Sequence, residues 1–134
     1  MFKVVIALVL FAHGIGHSMG LLQLFKVATV NPAWHGDSWI LSSVLGATPS
    51  QVVGGILWTV SIAGFAALAG MVLGWLPADW FDRVAIGSAI ASLVALFLFP
   101  VAFPTFSTIG ALVVDAAVLT ATVWYGWRPG EQGI

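Results

Sequence analysis

The sequence predicts an all-α fold: an integral membrane four-helix bundle with a short interfacial helix in its first loop. Three observations carry this expectation. The 134-residue chain is 60% hydrophobic and only 7% charged, where a soluble domain carries roughly 25% charged residues. Its apolar residues gather into four runs, each near the roughly 20 residues a helix needs to cross hydrocarbon. In lipid the backbone has no water to bond, so an isolated apolar run of that length must close its hydrogen bonds internally, as a helix.

The first span runs from about Phe2 to Phe25. Lys3 ahead of an apolar run, with Ser18-Met19-Gly20 behind it, imitates a secretory leader. Apolar sequence continues through Leu21, Leu22, Leu24 and Phe25, which predicts a retained span. Lys26 to Ala47 is the only long loop. Within it Asp37 is placed to cap a short helix through Leu45, ended by Gly46. With Trp34 and Trp39 beside an apolar face, that helix is expected to lie on the membrane surface.

The second span covers about 49–75. Thr48-Pro49-Ser50-Gln51 reads as a capping box with proline at the first helical position, and Leu76-Pro77 reads as the stop. The third covers about 80–101, with Asp79 placed to cap it and to set a carboxylate at its positive end. Pro100 and Pro104 bracket a tight turn before the fourth, about 106–127. The chain, residues 1–134, thus reads as a single transmembrane domain with a short polar tail from Glu131 to Ile134.

Four spans put both termini on one side, together with Lys3, Arg83 and Arg128; Lys26 stands alone on the other. The positive-inside rule then predicts cytoplasmic termini. Trp75, Trp80, Trp124, Tyr125 and Trp127 would form the inner aromatic belt, and Trp34 and Trp39 the outer one. Lipid tails are as apolar as leucine, so helices need small residues to approach closely. Gly16 and Gly20, Gly70 and Gly74, and Ala85 and Ala89 are each spaced by four. Such stripes also suit self-association or docking to other membrane subunits. No Lys/Arg cluster exists to neutralise phosphates, so nucleic acid is not an expected partner. Without cysteine, the chain offers no disulfide exchange and no thiolate metal site.

The polar residues inside the spans are few. His13 and His17 sit four apart in a greasy run, on one helical face and roughly 40° apart around the axis. Asp115 is the one acid deep within a span. A charged aspartate at the bilayer centre costs about 2.5–3.5 kcal/mol on insertion scales, so it needs a partner or a proton. At 1.5 Å per residue, His13 lies roughly 15 Å from Lys3, His17 roughly 21 Å, and Asp115 roughly 20 Å from Arg128. If the first and last spans are neighbours, the carboxylate falls between the imidazoles in depth, and Gly14 and Gly16 thin the wall beside them.

Several readings of His13, His17 and Asp115 compete. Two histidines and a carboxylate can hold a divalent metal, as in facial-triad iron or three-ligand zinc sites. They can bind a lipid-soluble substrate such as a quinone and exchange protons with it, since an imidazole titrates near neutrality. They can relay protons or ions. Or they form a network that only glues helices, Asp115 accepting from a histidine and from a hydroxyl such as Ser18, Ser61 or Ser88. A self-contained bis-histidine haem is not expected: axial ligands approach from opposite faces, and no other span carries a histidine. Trp58, roughly 15 Å into the second span, either lines the same pocket or packs. His35 and Asp37 in the outer loop read as a solvated pair, with metal binding the alternative.

At "VVIALVLFAHGIGHSMGLLQLF" the chain resembles the DoxX-like family of small four-helix membrane proteins of bacteria and archaea. Their first helix often carries a His-Gly pair followed by a lysine. Here His13-Gly14 fits, and His17 stands where that lysine would be. The resemblance implies a prokaryotic cell membrane and association with membrane redox complexes; one member type is the small subunit of a thiosulfate:quinone oxidoreductase. The expected function is a subunit or accessory protein of a membrane redox complex, with a quinone-like or lipid pocket around His13, His17 and Asp115. The alternatives are an intramembrane metal-dependent or acid/base enzyme on a lipid-soluble substrate, and a purely structural subunit.

Overall fold

The structure, a computed structural model, describes residues 1–131. Of the predicted polar tail it includes Glu131; the remainder lies outside the described residues. Every regular element among them is helical, and four helical stretches are long and apolar enough to cross a membrane: Phe2–Leu24, Ala47–Leu73, Ala78–Leu98 and Thr105–Trp124. This supports an integral membrane protein with its spans close to the predicted ranges.

The first span is two helices, α1 (Phe2–Gly16) and α2 (Ser18–Leu24), joined at His17. His17 keeps a right-handed conformation, but the winding tightens there: its amide bonds Gly14 O at 3.1 Å and its carbonyl takes the Gly20 amide at 3.2 Å. Both are three-residue bonds, the local 3₁₀ geometry that often marks a hinge or strain inside a helix. The loop then leads to α3 (Leu41–Leu45) and, after Gly46 at φ +88°, directly to α4 (Ala47–Leu73). A single 3₁₀ turn (Ala78–Trp80) precedes α5 (Phe81–Leu98), and α6 (Thr105–Leu119) runs into a π-turn over Thr120–Trp124.

The long helix α4 is the spine. It packs along α1 on one side and α5 on the other, while α6 rests on α5 and touches α1 only sparsely. Two apolar clusters result. Nearer the termini, Leu10, Phe65, Leu68, Val72, Phe81 and Ala85 pack together. Toward the long loop, Trp34, Trp58, Leu96, Phe99 and Phe103 do so. The close approach of α1 to α4 depends on Gly14, where an added Cβ would stand 2.9 Å from Phe65 Cβ.

Several sequence expectations are corrected. Trp34 is not an outer-belt anchor: it is 3% exposed and lies edge-on to Trp58 and Phe99, with ring centroids 5.6 and 6.2 Å away. Burying that ring against other aromatics outweighs leaving it at an interface. Trp39 is exposed. Asp37 caps nothing; instead the Ser38 carbonyl and hydroxyl receive the Ser42 and Leu41 amides at 3.3 Å each. No capping box forms at Thr48, because α4 begins two residues earlier behind Gly46, and Ser50 Oγ donates to Gly46 O at 2.6 Å. Helix α4 stops at Gly74 (φ +77°) ahead of Pro77. There a left-handed glycine lets following amides bond the last carbonyls, as Trp75 N does to Gly70 O at 2.8 Å. Asp79 makes no side-chain cap.

The long loop between the first two spans is tied down by side chains. Gln23 accepts the Val30 and Asn31 amides through Oε1 at 2.9 and 2.7 Å, and donates through Nε2 to the Asn31 and Trp34 carbonyls at 2.6 and 2.9 Å. Asn31 Nδ2 reaches Val101 O at 2.7 Å, crossing to the α5–α6 turn. The orphan carbonyls that end α5 find donors in the same loop: Trp39 Nε1 bonds Phe97 O at 2.7 Å and Ser38 Oγ bonds Leu98 O at 2.6 Å. On the terminal face Arg128 clasps Asp82 of α5 with two donors, a hydrogen bond that raises the guanidinium pKa still further. Arg83 lies over the Trp80 ring at 4.8 Å.

Candidate functional site

Three of the four residues singled out by sequence meet at one level. His13 from α1 and Asp115 from α6 join through Nε2 and Oδ1 at 2.9 Å, although 102 residues separate them. Asp115 is fully buried and the His13 side chain is 5% exposed. His17 stands edge-on to His13, ring centroids 5.1 Å apart.

The fourth member is Ser92 of α5, fully buried. Its Oγ lies 2.5 Å from Asp115 Oδ2, 2.9 Å from His17 Nε2 and 3.5 Å from His13 Nε2. Sequence reasoning offered Ser18, Ser61 and Ser88 as hydroxyl partners, and none of them fills that place. Ser18 and Ser61 donate to the Ile15 and Leu57 carbonyls of their own spans at 2.6 and 2.8 Å. Ser88 sits against α4, where a Cβ on Gly64 would fall 1.8 Å from its Oγ. Depth marks the right one: Ser92 stands roughly 14 Å along α5 from Arg83, close to the roughly 15 Å of His13 from Lys3.

Proton counting gives the network a direction. A hydroxyl has one hydrogen, and an ionised carboxylate only accepts. With Ser92 donating to Asp115, its oxygen must accept from His17, so His17 carries its proton on Nε2. His13 likewise donates Nε2–H to the other carboxylate oxygen. This pattern holds with His17 neutral and Asp115 ionised. It leaves His17 Nδ1 as a bare lone pair, and that atom is buried without a partner. Ser92 does not line the adjoining cavity, so its role is to position His17 and Asp115.

Beside the network lies a cavity of about 200 Å³ lined by Ala12, His13, Gly16, His17, Met19, Leu96, Phe103, Ser107 and Ala111. It reaches the outer surface at Ala12, which is exposed. Gly16 makes this possible: a Cβ there would have no atom within 4 Å. Ser107, which sequence reasoning missed, adds a hydroxyl from α6 two turns before Asp115.

Trp58 is placed differently from the other three. It is fully buried, faces Gly20, and is separated from His17 by Phe103, whose ring centroid lies 5.8 Å from Trp58 and 6.0 Å from His17. It packs behind the cavity and does not line it, and its Nε1 has no partner. His13, His17 and Asp115 do not converge as ligands: the first and last hydrogen-bond each other directly, and His17 reaches Asp115 through Ser92. Among the described residues no three of His, Cys, Asp and Glu stand as a metal-holding group. His35 and Asp37 are exposed in the long loop.

The arrangement leaves room for a small uncharged group beside the His13 and His17 rings. No family model matches the chain, and neither a curated protein nor a solved structure matches it.

Proposed function

We propose that this protein binds the ring of a lipid-soluble, quinone-like molecule in the cavity beside His13 and His17, and serves as a subunit or accessory protein of a membrane redox complex. One observation carries the reading: a ring-sized cavity, flanked by both imidazoles, includes the exposed Ala12 in mid-span, a position where a bilayer would meet it. At about 200 Å³ it is smaller than the roughly 300–1,000 Å³ of sites for drug-sized ligands, and it matches a single substituted ring. Reduction of a quinone takes up two protons, and histidines tied to a buried carboxylate can supply or accept them. The electrons would come from a partner chain, in keeping with the DoxX-like resemblance of the first span.

The purified chain in phosphatidylcholine nanodiscs, titrated with decylubiquinone and followed by tryptophan fluorescence, tests this. Saturable binding is expected, weakened about tenfold in His17→Ala, which removes one ring from the cavity wall. No saturable binding by the wild type would sink the reading.

A second reading has its own support. Apart from His17 Nδ1, the buried polar atoms of the four side chains satisfy one another, as a network that only joins helices would require. In that case His17→Ala lowers stability and no ring binds. A divalent metal would need the histidines and Asp115 to turn toward a common point; elemental analysis of the purified protein checks for it.

A further inference from the structure

The cavity accounts for one half of the boundary between α1 and α6. The other half, toward the termini, is an open seam of about 490 Å³ walled by Val5, Val9, Leu10, Val113, Val114 and Ala117 among others. We propose that this seam holds the hydrocarbon tail of the same molecule whose ring lies beside His13, so that the site takes a ring carrying a long alkyl or isoprenoid chain. The inference rests on the ring-binding reading above.

Continuity is the first argument. The cavity takes Ala12, His13 and Gly16 from α1 and Ala111 from α6; the seam takes Val9 and Leu10, and Val113 and Val114. These are adjoining turns of the same two helices, so a tail attached to a ring at His13 has only to pass the level of the His13–Asp115 pair to enter the seam. The walls supply the second. They are almost wholly hydrocarbon, and the seam starts within about 6 Å of His13 in depth, one helical turn. At that level an occupant must itself be hydrocarbon, because an unpaired polar group there is costly. Access is the third. Val5, Val9 and Val113 are 52%, 48% and 63% exposed, so the seam opens laterally to acyl chains. Its far end is walled by Phe81 and Trp127, rings 5.4 Å apart.

The seam's contribution is orientation more than affinity. A tail leaving lipid for a valine-lined groove exchanges one apolar surroundings for another. What it gains is a fixed direction, which holds the ring against the imidazoles.

A photoaffinity experiment reads this directly. The probe is decylubiquinone with a diazirine at the end of its tail, irradiated with the full-length chain in phosphatidylcholine nanodiscs and mapped by mass spectrometry. Label is expected on residues 5–10 and 113–121, displaced by excess unlabelled decylubiquinone. In Val9→Trp, which fills the seam, that label falls at least several-fold, while binding of the tail-less 2,3-dimethoxy-5-methylbenzoquinone stays within about twofold of wild type. Displaceable label spread over outward residues such as Phe106 and Ile109 overturns this inference and leaves the ring reading standing. Absence of any displaceable label, with no titratable ring binding, overturns the ring reading itself. A diazirine phosphatidylcholine that labels the seam equally with and without saturating decylubiquinone makes it a phospholipid groove and also overturns the proposal.

Discussion

The two sides of α1 are packed in opposite ways. Toward α4 the backbones lie so close that glycine is needed at position 14, with Phe65 Cβ 2.9 Å from where a methyl would stand. Toward α6 the helices separate into a cavity and a seam, crossed by the His13–Asp115 hydrogen bond at 2.9 Å. Close packing is the main source of helix association where the solvent is already apolar. The α1–α4 side therefore carries the architecture. The α1–α6 side forgoes packing, and a buried polar tie takes its place.

Substitutions can break or sharpen this contrast. The largest effect belongs to Gly14→Ile, which drives a branched side chain into Phe65; a loss of about 1–3 kcal/mol is expected, read as a lowered melting temperature in detergent. Next comes Ser92→Ala, which strips one partner each from His17 and Asp115. The cost of an unsatisfied buried group, about 1–3 kcal/mol in water, falls toward 0.6–1.7 kcal/mol for polar contacts between membrane helices. Asp115→Asn follows at about 1 kcal/mol, since the amide keeps the shape and part of the bonding. Combined with Ser92→Ala it should give a coupling of at least about 0.5 kcal/mol in a double-mutant cycle, because both act on one network; strict additivity would mean the two are independent.

The smaller effects lie on the open side and the surface. Gly16→Ala meets no atom within 4 Å, so stability should hold or rise by about 0.5–1 kcal/mol from helix propensity. The same methyl narrows the cavity mouth and should weaken ring binding several-fold in the nanodisc titration. Equal losses for Gly14→Ile and Gly16→Ala would erase the contrast between the two sides. Arg128→Gln removes an exposed ion pair to Asp82 and should leave the melting temperature within error, since such pairs are screened and flexible.

The helices and the polar trio were legible in the sequence for one reason: both are exceptions to a background. Twenty apolar residues in a row can be little else than a span, and one carboxylate among valines cannot be idle. What escaped reading was unexceptional in composition. Ser92 looks like any of the chain's other serines, and only its level along α5 sets it apart. Trp34 sits among polar loop residues, yet its neighbours Trp58 and Phe99 come from distant spans. Gln23 folds the long loop through four hydrogen bonds that no periodicity signals. Helix ends shifted where glycines 46 and 74 supplied positive φ, a backbone freedom that overrode the proline signals nearby.

The nitrogen spectrum of the histidines probes the heart of the account. In ¹⁵N-labelled protein reconstituted in bilayers, His17 should show a proton fixed on Nε2 and a bare Nδ1, and Ser92→Ala should release it to exchange between tautomers. A His17 spectrum that is identical in wild type, Ser92→Ala and Asp115→Asn would mean that no serine bridge ties it to the carboxylate, and the buried network would have to be abandoned.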